Sequence, residues 1–594
     1  MINFNNLNNN KKKYHLGKIR TSQLLTTFGI GSIVDFVKKT TIIGGADNWF
    51  DDKDENRKIV NENLQDITGE SFFVLPKANG DEYISEKNQD IESYIFPKLL
   101  YCPICKQIIH YKDSKDHLSQ DGKKCKGHLV PSRFVVICQN GHIDDFPYSQ
   151  WLHNGEKCPS GKKSPRIKMY NADNRNDIGS LILECEECNK KRSMVGIFEP
   201  NALNRIKNYH CSGKHPHLGD DYKEECELMP TVKLRTSSSI YFPINYSALL
   251  IPPWSQKALY CIEKIYKYLS GMSEDKRKDI IQEEVLNCNA NLTMEDCMKA
   301  YRILEEKREK KIIRTESDIY QDEYNVLCRD NIVDERYSAH HATIPSDFGK
   351  YFESITVVDR LVVTMALTGF TRLYSPNSDK DSHIVSLFKK KPEWFPGVEL
   401  NGEGVFFRFK SSAIDEWLQN IGDRYSDLKK AYNESYLKSP KFSVKYIMLH
   451  TFAHLLIRQI ADECGYSAAS IKERIYSDFS DKEDGEMSGV LIYLSSSDSD
   501  GSMGGLISVA EDTELLDKVL KKMLQEAMWC SADPVCALSK HQGYESLNYA
   551  ACYACTLLPE TSCEFSNILL DRVSIVGQVD NYKLGLMGDL TKEL

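Results

Sequence analysis

Cys102-Pro-Ile-Cys105, Cys185-Glu-Glu-Cys188 and Cys552-Tyr-Ala-Cys555 are three Cys-x-x-Cys turns in one chain. Such a turn aims two thiolates at a single point, and a further pair completes the tetrahedron that Zn2+ prefers. Each turn has partners in range: Cys125 and His128 follow the first, Cys211 and Cys226 the second, and Cys536 and Cys563 flank the third. The spacing predicts about three structural zinc sites, namely Cys102/Cys105/Cys125/His128, Cys185/Cys188/Cys211/Cys226 and Cys536/Cys552/Cys555/Cys563. Alternatives stay open. His215 or His217 is available in place of Cys226, and Cys530 in place of Cys536. Cys138, His142, His153 and Cys158 form a looser set with irregular spacing. Four protein ligands leave no vertex for water, so cross-linking rather than catalysis is the chemistry expected.

Other motifs are weaker. His450 and His454 lie i, i+4 on one helix face, but Thr451 stands where a His-Glu-x-x-His metalloprotease has its general base. Their neighbours Leu449, Phe452, Leu455, Leu456 and Ile457 predict buried, hydrogen-bonded histidines rather than ligands. The loop SSSDSDGSMGG, 495–505, has glycines before a helix, yet Asp498 and Asp500 would repel phosphate. Gly161-Lys162 fails the P-loop pattern, because Gly155 is one position too early and Lys163 replaces Ser/Thr. The chain is not expected to hydrolyse ATP by itself.

The elements that must position these residues follow from length and patterning. The 594 residues correspond to roughly four domains. Residues 1–16 read as a polar tail, Lys18–Phe36 as an extended segment turning at Gly29 and Gly31, and 47–70 as an acidic loop or exposed helix. Short strands and turns are expected between the ligands of 101–228, and a strand at Ser239–Tyr246. A helical block follows at 255–325, whose EEKREKK run is a solvated face. Mixed, partly helical structure is expected through Val357–Gly369, and a hairpin turning at Asn401-Gly402 within Trp394–Phe409. KYIMLHTFAHLLIRQIADECG reads as an apolar helix closed by Gly465, GVLIYL as a buried strand, and Thr513–Trp529 as an amphipathic helix with an Asp-Thr cap. The fold class is therefore α+β and multidomain. An N-terminal segment (1–97) precedes zinc-ribbon-like modules (98–235), a largely helical middle region (236–425) and a C-terminal α/β domain with a four-cysteine zinc site (426–594).

No apolar run approaches the roughly 20 residues that cross a bilayer, and Met1–Lys13 lacks a signal-peptide core, so a cytoplasmic protein without membrane contact is expected. In that reducing setting the 19 cysteines are thiols and metal ligands rather than disulfides. The net charge of −9 gives no global field for nucleic acid, which excludes a coating protein but leaves room for a local basic face. Candidate contacts are Lys162, Lys163, Arg166, Lys190, Lys191 and Arg192, each of which reads equally as solvated surface.

Several stretches together resemble the DISARM anti-phage DrmB family. They are RTSQLLTTFGIGSIVDF (Arg20–Phe36), RFVVICQNGHIDDFPYSQWLH (Arg133–His153), HTFAHLLIRQIADECGYSAASIKERIY, GVLIYLSSSDSDGSMGGL, and CSADPVC with AACYACTLLPETSCEFSNILLDR. The last three are similar to the zinc-binding domain of MrfA-type helicases. Tyr148 departs from the pattern, where Trp is expected. The resemblance implies a non-helicase subunit that pairs with a separate SNF2-like helicase, DrmA-like, and reaches DNA through that complex. It also implies that Cys552, Cys555 and Cys563 are zinc ligands with Cys536 as the fourth, and it transfers no catalytic residue. Two competing readings remain: a nuclease-like enzyme using His450/His454 or the Asp-Ser-Gly loop, and a stand-alone zinc-dependent DNA-binding protein.

Overall fold

The computed structural model describes the chain except residues 1, 7–14, 51–54, 77–90, 115–123, 173–177, 287–291, 311–313, 377–382, 391–392, 438–441, 478–486, 497–503 and 594. Most of the Ser/Asp/Gly loop lies outside the described residues. Four consecutive domains were expected. The chain instead forms two compact units, each assembled from three segments: Met1–Arg57, Val74–Tyr246 and Ala366–Val398 make one, and Lys58–Phe73, Ser247–Met365 and Glu399–Leu594 the other.

The first unit is built from short strands in three sheets. A five-stranded sheet runs in the order His15–Ile19, Ile2–Asn6, Ile91–Ile95, Thr40–Ile43, Ile33–Asp35. The stretch expected to be a polar tail thus contains the strand Ile2–Asn6, which pairs with His15–Ile19. A six-stranded sheet (Val130–Pro131, Leu99–Tyr101, Gln107–His110, Ile167–Asn171, Leu181–Cys185, Lys191–Ser193) and a three-stranded one (Ile143–Asp145, Phe134–Ile137, Thr231–Leu234) carry the zinc-type motifs. Tyr148, the departure from the family pattern, is buried with its hydroxyl 2.7 Å from Ser132 Oγ.

Arg372 is the polar hub of this unit. It is fully buried and donates to the carbonyls of Gly141 (Nε, 3.0 Å), Ile240 (Nη1, 2.5 Å) and Gly31 (Nη2, 2.8 Å). The fixed guanidinium fork can satisfy three chain segments at once, which lysine cannot. Gly31 has φ +87°, and a Cβ there would lie 2.4 Å from the Phe370 ring, so both backbone and space require glycine.

The second unit has the helix Val444–Cys464 at its centre. Its apolar residues surround the helix, the pattern of a buried element, and nearly all from Tyr446 to Ile460 are buried. Ser443 Oγ accepts from Tyr446 N at the start, and Gly465 (φ +71°) closes the end as expected. The helix packs on strands Ile471–Ser477 and Ser488–Ser496 and on helix Thr513–Ala527, whose Asp512 cap accepts from Glu514 N and Leu515 N.

Several expectations for the middle of the chain are overturned. Val357–Gly369 lies inside one long strand, Phe352–Thr371; an apolar run buried on both faces has neither helical nor alternating period. Phe395–Phe409 is a continuous strand, with Asn401 and Gly402 paired to Ser496 and Ser495 rather than turning. Gly402 serves close approach, since a Cβ would lie 2.1 Å from Leu494 O. Helix Glu62–Thr68, in the stretch expected to be exposed, buries Glu62 to Gln65.

Arg474 and Glu323 form a buried pair, with Nε to Oε2 at 2.6 Å and Nη2 to Oε1 at 3.1 Å. Tyr476 and the Leu249 amide also donate to Glu323. Replacing Arg474 by leucine strands this carboxylate, which costs about 3–5 kcal/mol. Arg474→Leu is expected to lower the thermal unfolding midpoint of the purified protein by several degrees, read by calorimetry, and the double change Arg474→Leu/Glu323→Leu to recover part of it.

Candidate metal centres

Two of the Cys-x-x-Cys turns are built alike. Cys102–Cys105 caps the antiparallel pair Leu99–Tyr101 and Gln107–His110, and Cys185–Cys188 caps Leu181–Cys185 and Lys191–Ser193. In each the residue four positions after the first cysteine sits at positive φ, Lys106 at 63° and Asn189 at 57°. Its amide returns to the first cysteine's carbonyl, at 2.8 and 2.9 Å. That tight return leaves both thiols pointing to one side.

The first turn gathers Cys125, so that three sulfurs lie within 4.8 Å of one another, with Cys102 and Cys125 at 3.7 Å. The three thiols close without His128, which is exposed. Gly127 lies against the cluster, where a Cβ would meet Cys102 Sγ at 2.4 Å.

The expected set Cys185/Cys188/Cys211/Cys226 is divided. Cys185 and Cys188 join His153 and Cys158, whereas Cys211 and Cys226 join Cys138 and His142. Strand pairing explains this: Ile137 faces Thr231, which brings Cys138, one residue on, to the segment after Cys226. The looser set noted in the sequence therefore supplies the missing halves of two sites. In the first, Cys158 and Cys185 are 3.7 Å apart and His153 Nε2 is 3.4 Å from Cys188. His153 Nδ1 donates to Ser149 O at 2.9 Å, which fixes the tautomer that leaves Nε2 bare. In the second, His142 Nδ1 is 3.2 Å from Cys138 Sγ and its Nε2 meets Glu224 at 3.2 Å, the carboxylate–imidazole arrangement that orients a metal-binding histidine. A hydrogen bond from the Cys211 thiol, with His142 beside it, outweighs burial and draws Cys138 well below the usual thiol range. His215 shares Glu224 instead of replacing Cys226, and His217 is buried against Ser386 O.

The C-terminal turn gathers both disputed upstream cysteines. Cys530, Cys536, Cys552 and Cys555 lie within 4.8 Å, with Cys530–Cys552 at 3.5 Å and Cys536–Cys555 and Cys552–Cys555 at 3.7 Å. Asp533 holds the upstream pair by accepting from Cys530 N and Ala537 N while Arg572 grips its carboxylate. Arg458 on the long helix donates to Ala554 O inside the turn. Cys563 goes elsewhere. Residues 562–564 run beside strand Ile471–Ser477, where Ser562 O accepts from Glu473 N, and this carries Cys563 beneath the long helix to His450, His454 and Glu473.

These distances discriminate. Disulfide sulfurs lie about 2.05 Å apart, whereas zinc–sulfur bonds of about 2.3 Å place tetrahedral sulfurs about 3.8 Å apart. The sulfur pairs, at 3.5 to 3.9 Å, match the tetrahedral edge. Where four thiols, or three thiols and an imidazole, converge, the closed donor set fits structural zinc; the Cys102/Cys105/Cys125 cluster supplies three thiols of such a set. Of the six basic residues considered for DNA, three have carboxylate partners, Lys162 and Arg166 at Glu187 and Lys191 at Glu184, while Arg192 stacks on Trp151.

The fold and its sites define a multidomain α/β protein with a zinc-binding C-terminal domain. Residues 452–556, which hold all four C-terminal cysteines, match the MrfA Zn-binding domain family, and residues 20–242 match a domain of unknown function, DUF8724. The chain is 30% identical over 596 residues to the DISARM protein DrmB of Bacillus paralicheniformis, covering 92% of this chain and 98% of that one. It belongs to the DrmB family. A crystal structure of the DUF1998 helicase MrfA bound to DNA aligns with 37% of this chain and 24% of that chain, at 10% identity and a TM-score of 0.18. Among the described residues no helix is long and apolar enough to cross a membrane.

The division of the second sequence set has a direct consequence for zinc content. Cys158→Ala/Cys185→Ala is expected to lose one zinc per chain relative to the unmodified protein. Cys185→Ala/Cys211→Ala should lose two. Elemental analysis of the purified variants checks this, and equal losses would restore the grouping expected from spacing alone.

Proposed function

We propose that this protein is a non-catalytic, zinc-containing accessory subunit that partners a SNF2-like helicase in bacterial anti-phage defence and helps it engage DNA. The observation that carries the proposal is the rim of the C-terminal cysteine site. Trp529, Val535 and Tyr553 each adjoin a ligand of that site, Leu538 follows two residues after Cys536, and all four are exposed (68%, 78%, 86% and 71%). Four large apolar side chains held outward on a cross-linked turn make a poor solvated surface and a good protein contact. Trp and Tyr are also the residues that dominate binding energy at interfaces.

Three further points agree. The relative of matching length is named a DISARM protein. The chain has no P-loop pattern, so ATP turnover falls to the partner. His450 and His454 are fully buried, which gives a scissile phosphate no access to them. DNA is then reached through the complex, in keeping with a net charge of −9 and with three of the six candidate basic residues already facing carboxylates.

With its helicase partner, the protein is expected to raise DNA-stimulated ATP turnover; equal turnover with and without it would remove the stimulating role. Trp529→Ala/Tyr553→Ala alters only exposed side chains, so it should retain zinc and stability. It should weaken the complex by about 2 kcal/mol or more, roughly thirtyfold in Kd, measured by calorimetric titration against the helicase.

A further inference from the structure

His450, His454, Glu473 and Cys563 come together in the second unit from three parts of the chain. The helix Val444–Cys464 brings the two histidines, strand Ile471–Ser477 brings Glu473, and the segment beside that strand brings Cys563. His450 Nε2 is 3.1 Å from Glu473 Oε1 and 3.3 Å from Cys563 Sγ, and His454 Nε2 is 3.5 Å from the same carboxylate oxygen. One donor atom from each residue falls within 4.8 Å of the other three. The histidines are fully buried, Glu473 is 3% exposed and Cys563 8%.

The helical spacing predicts a hydrogen-bonded pair of core histidines, but the hydrogen bonds do not close. His454 Nδ1 donates to Thr556 O at 3.0 Å, which leaves Nε2 as the ring nitrogen that faces the cluster. That Nε2 makes only the long 3.5 Å approach to Glu473 Oε1, and among the described residues Glu473 Oε2 has no hydrogen-bond partner. Such an orphan costs about 1–3 kcal/mol in a dry core. The remaining contacts support anionic ligands from behind: the Glu564 amide donates to Glu473 Oε1 at 3.0 Å, and the Asn567 amide to Cys563 Sγ at 3.2 Å. Two imidazoles, a carboxylate and a thiol thus converge on one point, a donor set of the kind that binds a divalent cation.

We propose that these four residues hold a structural zinc ion, separate from the four-cysteine site of the same unit. The mixed nitrogen, oxygen and sulfur set suits Zn2+, and four protein ligands close the coordination. His450 and Cys563 lie outside the interval matched to the MrfA Zn-binding domain, so the ion ties the ends of that interval into the core. Glu473, between Lys472 and Arg474 in its strand, is the member that no spacing rule points to.

The test is zinc content of the full chain. Cys563→Ala is a small apolar replacement in a buried place, and the folded variant is expected to carry one zinc fewer than the unmodified protein prepared alongside it. A folded Cys563→Ala protein with an unchanged zinc count overturns the proposal. Should that variant not fold, the unmodified protein decides. Anomalous diffraction from its crystals, collected on both sides of the zinc edge, is expected to show a peak between His450 Nε2, His454 Nε2, Glu473 and Cys563. An ordered cluster with no peak there overturns it.

Discussion

The structure depends on the convergence of thiol and imidazole donors to about one tetrahedral edge. In the first unit the strands that carry them are very short: Val130–Pro131 has two residues, Leu99–Tyr101 and Ile143–Asp145 three, Phe134–Ile137 four. Strands of this length bury too little to persist alone. An ion held at their ends would change the balance, because its binding free energy adds to that of folding. Cys138 and His142 close the turn of the three-stranded sheet, and Cys185 and Cys188 fasten the six-stranded sheet to the helix Tyr148–His153 through its last residue.

The second unit needs less help, and its donors are used differently. Its long helix is wrapped in apolar contacts and would be buried on those grounds alone. The four cysteines at 530–555 instead stiffen a turn that projects Trp529, Val535, Leu538 and Tyr553 outward. Arg572, Asp533 and Arg458 connect that turn to the core, so the exposed residues stand on a fixed platform. A backbone held in place at such a turn has little freedom left to lose when its exposed side chains are covered.

Much of this was legible in the sequence. The Cys-x-x-Cys turns, the Gly465 stop, the Asp512 cap and the buried strand near 489–494 follow from local rules. The DrmB family and the MrfA-type domain are carried by motifs that can be read directly. What could not be read depends on long-range pairing. Cys226 lies 38 residues from Cys188 and 88 from Cys138, yet it joins Cys138, because Ile137 pairs with Thr231. Cys563 has ligand spacing to Cys555, yet the backbone bonds of Ser562 and Glu564 to Glu473 pull it into the core. Glu473 and Arg372 gave no local signal at all. Glu473 lies between Lys472 and Arg474, and a charged residue in such company is uninformative until its partners are known. Asn401-Gly402 misled for the opposite reason, a strong turn signal that reports close strand approach.

The central claim, that bound cations hold the short strands of the first unit together, is tested most directly by hydrogen–deuterium exchange before and after zinc is removed with a chelator. Amides of Leu99–His110, Phe134–Asp145 and Leu181–Ser193 should lose protection together on removal and regain it when zinc is restored, while the helix Val444–Cys464 keeps more of its own. A zinc-free protein whose strands stay as protected as before would contradict it.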